Sequence, residues 1–307
     1  MIHPARIHRL NDKLVQRTGT FVVYWMQQSQ RAEENHALEY AIIRANELHL
    51  PVAVVFGLME KYPEATDRHV AFMLQGLEET FRTLERRGIS AWIGRGNPAE
   101  VAIQTGKRAA VVVCDMGYLR HQAEWRARVA EEVGCEVVEV ESDILVPVEL
   151  ASDHAEYMAR TLRPKLRKRL DEFLQPVPEI PVVTRWPGDR QLAEGFVRDV
   201  PAIHSAHVLR FAGGTRAAKQ RLRDFIKKSL PVYEAHSNQP QTDDTSVLSP
   251  YLHFGQISPV YIACEIQRVS PDSRFLEQLI IRRELSINFV WFTPDYDRFS
   301  CLPDWAR

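Results

Sequence analysis

Along the first 145 positions, apolar residues fall alternately into short dense runs and longer spaced sets. Residues 20–25 (TFVVYW) form a β-branched and aromatic run of buried-strand length. Leu38, Ala41, Ile42, Ala45 and Leu48 then recur at helical intervals across 33–48. Residues 51–56 (PVAVVF) predict a second strand, closed by Gly57. Phe72, Leu74, Leu77, Phe81 and Leu84 predict a long helix over 68–87, with Gly88 where a C-cap glycine belongs. Runs at 89–93, 110–114 and 135–140 predict three more strands. A helix is expected over 119–133, and Asn97-Pro98 reads as a cap followed by proline at the first helical position. Strands spaced by helices of this length predict an α/β fold, a doubly wound parallel-sheet domain over residues 1–150.

After Pro147 the rhythm changes. Residues 151–174 read as charged helix, and 175–205 carry Pro176, Pro178, Pro181, Pro187 and Pro201. The span 151–205 is therefore read as an inter-domain connection. From about His207 the pattern is helical, giving a C-terminal all-helical domain over 206–307. Gly213-Gly214-Thr215 opens a helix with Ala217, Leu222, Phe225 and Ile226 on one side. A polar loop follows at 238–245, then helices at 258–269 and 273–292.

Composition narrows the function classes. The 307 residues carry a formal net charge of -1, so global charge does not announce a nucleic-acid partner. The four cysteines are scattered without a C-x-x-C pair, which favours a reducing compartment; a cytoplasmic location is expected. The N-terminus is polar through Gly19 and reads as no signal peptide. No apolar run approaches the roughly 18 residues of a membrane span. His204 and His207 lack ligand-spaced partners, so no metal is expected. Neither a Walker loop nor G-x-G-x-x-G is present. Two basic clusters stand out. Residues 160–169 (RTLRPKLRKR) hold Arg160, Arg163, Lys165, Arg167, Lys168 and Arg169, a composition more often seen on a solvated helix. Arg216, Lys219, Arg221, Arg223, Lys227 and Lys228 form the other cluster, which lies closer to the helical domain. Either could meet phosphates.

Five stretches together resemble the class II cyclobutane pyrimidine dimer photolyases. They are 24–40 (YWMQQSQRAEENHALEY), 67–77 (DRHVAFMLQGL), 157–166 (YMARTLRPKL), 245–258 (TSVLSPYLHFGQIS) and 275–289 (FLEQLIIRRELSINF), with Tyr296-Asp297 and Trp305-Ala306 beyond. The resemblance runs from about residue 20 to the last residue. It implies an N-terminal antenna domain, a helical FAD-binding domain, and light-driven repair of UV-damaged DNA containing pyrimidine dimers. A monomer with no membrane contact is expected.

The resemblance carries roles to particular residues. Thr245, Ser246, Val247, Leu248 and Ser249 would wrap the FAD diphosphate, and Tyr233 would pack near the cofactor phosphates. Hydroxyls and N–H groups at a helix start make an anion site on physical grounds, although an ordinary Ser/Thr-Pro cap has the same composition. Along 275–292, Gln278, Arg282 and Leu285 share one face, and Leu279, Arg283 and Ser286 the next. The family reading gives Arg282 to the cofactor, and Arg283 and Glu277 to DNA. The bland reading is a solvated face on which Glu277, Arg282, Arg283 and Glu284 pair with one another. Gln278 stands where the family pattern has a substrate-facing glutamate; it keeps an acceptor and gains donors but loses the charge. Val247 stands where many relatives have a polar residue. A deazaflavin-type antenna is implied at the carboxyl ends of the strands.

The chain stops inside the family pattern. The resemblance therefore implies further helical sequence bearing other cofactor and DNA contacts, and this polypeptide is expected to be a fragment or an inactive relative. Two other readings are a cryptochrome-like flavin photosensor and a non-catalytic nucleotide- or deazaflavin-binding α/β protein.

Overall fold

The computed structural model describes residues 2–59, 61–188, 191–201 and 210–306. His204, His207 and the expected start of the helical domain at 206 lie outside the described residues. Seven strands form one sheet: β1 (Ile7–Arg9), β2 (Val22–Met26), β3 (Val52–Leu58), β4 (Ser90–Arg95), β5 (Val111–Asp115), β6 (Glu136–Val140) and β7 (Phe196–Val197), ordered β1-β6-β5-β2-β3-β4-β7. The five inner strands are parallel, and β1 and β7 are antiparallel edges. Every residue of β2, β3, β5 and β6 is buried. Strands covered on both faces must be apolar on both, which is why they read as unbroken runs.

Successive strand residues point to opposite faces and so divide the core in two. Val22, Tyr24 and Met26 pack with α1 (His36–Leu48) and α2 (Asp67–Arg86). Phe21, Val23 and Trp25 pack with α3 (Pro98–Gly106) and α4 (Arg120–Glu132). After the edge strand β1, the chain enters the parallel sheet at β2, winds outward to β4, then crosses to β5 on the other side. Strand order thus reverses between β2 and β5, the place where doubly wound sheets open a crevice at their carboxyl ends. The expected helix ends hold. The Asn97 side chain accepts from Ala99 N at α3, and Gly88 follows α2 with φ +80°.

Another core joins α6 (Ala159–Phe173), α7 (Thr215–Lys228), α9 (Ser249–His253), α10 (Pro259–Val269) and α11 (Arg274–Leu276) with Phe72 of α2 and Leu145-Val146. The short helices α5 (Val148–Ala151) and α8 (Tyr233–His236) complete this layer together with α12 (Arg283–Phe292).

Three expectations are corrected. The polar N-terminus contributes β1, too short to show any periodicity. The proline-rich segment is more than a connection. Val177 N, Ile180 N and Val183 N donate to Glu34, Glu39 and Asn46 side chains, Trp186 is buried against Phe21 and Trp92, and β7 pairs with β4. Prolines forbid a continuous ladder there, so side-chain acceptors satisfy the remaining N–H groups one by one. Lastly, 273–292 is not one regular helix. Glu277–Arg282 between α11 and α12 is π-helical. The wider turn shifts the faces expected from α-helical spacing and buries Leu279, Ile280 and Ile281 consecutively. Among the described residues no helix is long and apolar enough to cross a membrane, no cluster of three metal-ligating side chains exists, and all four cysteines are free.

Candidate functional site

The family stretches converge first on a buried polar seam between sheet and helical layer. At the switch point Asp115, the last residue of β5, accepts from Tyr24 Oη at 2.8 Å and from Gln27 N and Ser29 N at 3.0 Å. Burial raises its pKa against these bonds. Arg31, fully buried, donates to Asp143 Oδ1 at 3.1 Å, Ser142 O at 2.9 Å and Gly255 O at 2.9 Å. It therefore ties the loop after β2 to the loop after β6 and to the helical layer. Gly255 must be glycine: φ is +63°, and a Cβ would stand 1.9 Å from Gln28 O. The next side chain, Gln256, lies in a notch over Gly76 of α2, where a Cβ would meet its amide at 2.2 Å. Its Oε1 accepts from Gly214 N at 2.7 Å. The HFGQ and MLQG motifs thus belong to an interlock between the layers.

The charged stretch 277–284 does not pair within itself. Glu277 forms a two-point ion pair with Arg163 of α6, at 2.6 and 3.1 Å. Arg283 donates to Asp143 O at 2.5 Å. Glu284 is buried, accepts from Leu145 N at 2.5 Å, and leaves Oε2 without a partner. Burial drives its pKa from 4.5 up to about 8. Nearby Glu141, which accepts from Tyr118 Oη at 2.8 Å, is pushed up to about 7 by burial. Glu284 was invisible as a seam residue in the sequence, because nothing local distinguishes it from the exposed charges beside it.

The residues assigned to cofactor and substrate lie on a more open surface. Thr245 and Ser249 are exposed, Ser246 and Val247 half-buried, and Leu248 buried. Ser246 O accepts from Arg221 Nε at 3.2 Å, which ties the turn to α7. Val247 has φ +51°, a left-handed conformation that a β-branched residue rarely adopts, and Leu248 then returns to the right-handed region. Alternation of this kind can turn neighbouring N–H groups toward one concavity, an anion-binding geometry; here Leu248 N donates to Ser246 Oγ at 3.4 Å within the turn. Tyr233 packs edge-on against Phe225 and Phe275, with ring centroids 5.6 and 5.5 Å apart, so it stands beside the helix that carries Gln278. Gln278 and Arg282 are exposed, and no ion pair or hydrogen bond engages either side chain among the described residues. The donor set fits a diphosphate: a strained turn with two exposed hydroxyls.

A separate feature lies at the switch point. Both amide atoms of Gln27, just past the carboxyl end of β2, are buried without hydrogen-bond partners. Unsatisfied groups of this kind are costly and point to a ligand edge that completes them.

A family model described as DNA photolyase matches residues 22–182. The chain is 41% identical over 311 residues to the deoxyribodipyrimidine photo-lyase of Methanothermobacter thermautotrophicus, covering all of this chain and 69% of that protein. It is 34% identical over 334 residues to the Arabidopsis thaliana protein of the same name, of which it spans 66%. A Synechocystis cryptochrome structure superposes with a TM-score of 0.70 at 17% identity, over 91% of this chain and 62% of that one.

Proposed function

The chain belongs to the DNA photolyase family, and from that premise we propose that it serves light-driven repair of cyclobutane pyrimidine dimers in DNA, with FAD held by the helical layer. The observation that carries the cofactor part is the turn at 245–249. Its left-handed Val247 costs on the order of 1–3 kcal/mol, a strain that persists at ligand clamps. Thr245, Ser249 and the turn's remaining N–H groups would hold the diphosphate, and Tyr233, packed on Phe225 and Phe275, would stand near the cofactor phosphates as the resemblance implies. Bound reduced flavin would supply the photoexcited electron. Every other task falls to this chain. Gln278 would hydrogen-bond a flipped pyrimidine pair through one acceptor and two donors. It holds no carboxyl proton, so it orients the lesion without providing an acid. Arg282, exposed one turn on, would supply positive charge to the cofactor side. Arg283 and Glu277, assigned from the sequence to DNA, are engaged by Asp143 O and Arg163, and support the π-helical segment from beneath. The unsatisfied amide of Gln27 supports a deazaflavin-type antenna at the switch point, because such a ring carries donors and acceptors along one edge.

The test is a visible spectrum of the purified chain after incubation with FAD and gel filtration, followed by illumination with a dimer-containing oligonucleotide. Flavin bands that co-elute, and that are lost on replacing Val247 by proline, are expected. A spectrum without co-eluting flavin removes the cofactor reading. One observation favours a second reading: the uncharged Gln278 suits a flavin photosensor, which would retain flavin and photoreduce it without splitting dimers.

A further inference from the structure

The sequence leaves two basic clusters open as phosphate contacts, and the structure separates them. On α7, Lys219 pairs with Glu33, Arg221 donates to Ser246 O, and Arg223 donates to Gln220. The remaining cations, Arg216 and Lys227-Lys228, sit at opposite ends of the helix. On α6 the arrangement differs. Leu162, Leu166 and Phe173 bury one face. Arg160, Thr161, Pro164, Arg167 and Lys168 form the exposed opposite face. Arg163 engages Glu277, Lys165 engages Glu156, and Arg169 engages Glu172. Among the described residues no hydrogen bond or ion pair engages the side chains of Arg160, Arg167 or Lys168, and Arg167 adds only a longer-range charge felt by Glu277. Tyr157, just before the helix, is 91% exposed.

Position makes this face more than a solvated one. The Arg163–Glu277 pair fixes α6 against the π-helical segment at the residue preceding Gln278. Arg160 and Arg167 lie three residues before and four after Arg163, so they flank that clamp along the same side of α6. We infer that the α6 face carrying Arg160, Arg167 and Lys168 is a track for the DNA sugar-phosphate backbone beside the lesion contact proposed at Gln278. The inference rests on the repair reading above. The spacing fits. Seven residues of α-helix rise about 10 Å, which matches about three nucleotide steps at about 3.4 Å each along one strand. Contacts of this kind hold the duplex in register and carry no sequence or damage information themselves.

The experiment is fluorescence anisotropy of labelled duplexes, with and without one dimer, titrated with the chain in the dark across a salt series. Arg160→Gln/Arg167→Gln is expected to weaken binding to both duplexes alike and to flatten the log K against log salt slope by about 2, one for each arginine. Arg216→Gln/Lys228→Gln on α7 removes the same charge and should leave that slope near the parent value. Three results would overturn the inference: no DNA binding by the parent, an unchanged slope in the α6 variant, or a loss confined to damaged DNA. Flavin retention, measured separately by absorbance, reports on the repair reading. A chain that binds DNA through α6 but holds no flavin separates failure of that reading from failure of the track.

Discussion

The seam and the open face are built from the same residue types and treat them in opposite ways. Across the seam, Arg6, Arg31, Gln256 and Arg283 each spend their donors on main-chain or side-chain acceptors inside the protein. On the open face, Thr245, Ser249, Gln278 and Arg282 keep theirs outward. A family motif is therefore two kinds of evidence. In 245–258, the TSVLS half faces outward and the HFGQ half closes onto the sheet. Three residues, 250–252, thus separate the turn proposed to hold a ligand from a structural latch.

The sharpest way to break this comparison is to remove a seam cation. Arg31→Ala leaves Asp143 buried without its ion partner and strands the Ser142 and Gly255 carbonyls. Breaking a buried pair on one side costs about 3–5 kcal/mol. Denaturant unfolding should show that loss, with the transition tending to split as the helical layer frees itself from the sheet. A cost under about 1 kcal/mol would mean that the latch does not couple the two cores.

A pH series comes next. Glu284 and Glu141 have folded pKa values raised to about 8 and about 7 from an ordinary 4.5. Between these limits the folded state binds more protons than the unfolded one. Their contribution is then complete below about pH 4.5 and is lost as pH rises through 7 to 8. The parent should lose several kcal/mol between pH 5 and pH 9, at about 1.4 kcal/mol for each unit by which a folded pKa is raised, with Glu284 giving the larger share. Glu284→Gln should flatten most of that slope and exceed the parent in stability at pH 9. A variant that keeps the parent's slope would relocate the titration to another group.

Legibility in the sequence divides along similar lines. The central strands could be read because a doubly covered strand must be apolar at every position, as VVYWM and VVVCD are in β2 and β5. Caps at Asn97 and Gly88 could be read because each depends on one local bond or one dihedral. The strands β1 and β7 could not, since three- and two-residue edges carry no period. Nor could Gln256 in the notch of Gly76, which joins residues 180 positions apart and obeys no spacing rule. The π-helical widening at Glu277–Arg282 hides for another reason. Its side chains are ordinary for an α-helix, and only the packing of three consecutive apolar residues reveals the extra residue in the turn. The roles proposed for Thr245, Ser249 and Gln278 rest on the resemblance, because an exposed hydroxyl or amide looks the same with or without a ligand.

Val247 sharpens the comparison on the open side. If its left-handed backbone is strain held for a ligand, Val247→Asn should relieve it, since asparagine tolerates that region. The expected gain is about 1 kcal/mol in thermal unfolding without flavin. Flavin affinity should hold or rise, because the turn keeps its shape at lower cost. A destabilised variant would show that the valine side chain packs well enough to outweigh its backbone.

The smallest effect on stability belongs to Gln278. Its side chain is exposed and touches no ionic partner, so Gln278→Glu should change the unfolding free energy by no more than about 0.5 kcal/mol. Its functional effect should run the other way. A carboxyl at this position restores the proton-bearing group that the amide lacks, and the yield of split dimers per absorbed photon should rise while flavin retention stays constant. Dark binding of undamaged duplex should not change, because Arg160 and Arg167 carry that affinity, while preference for the dimer should shift with pH as the new carboxyl titrates. A large loss of stability in Gln278→Glu would place this residue on the buried side of the comparison, and the division between latch and ligand face would then fall between Gln278 and Arg282 rather than ahead of both.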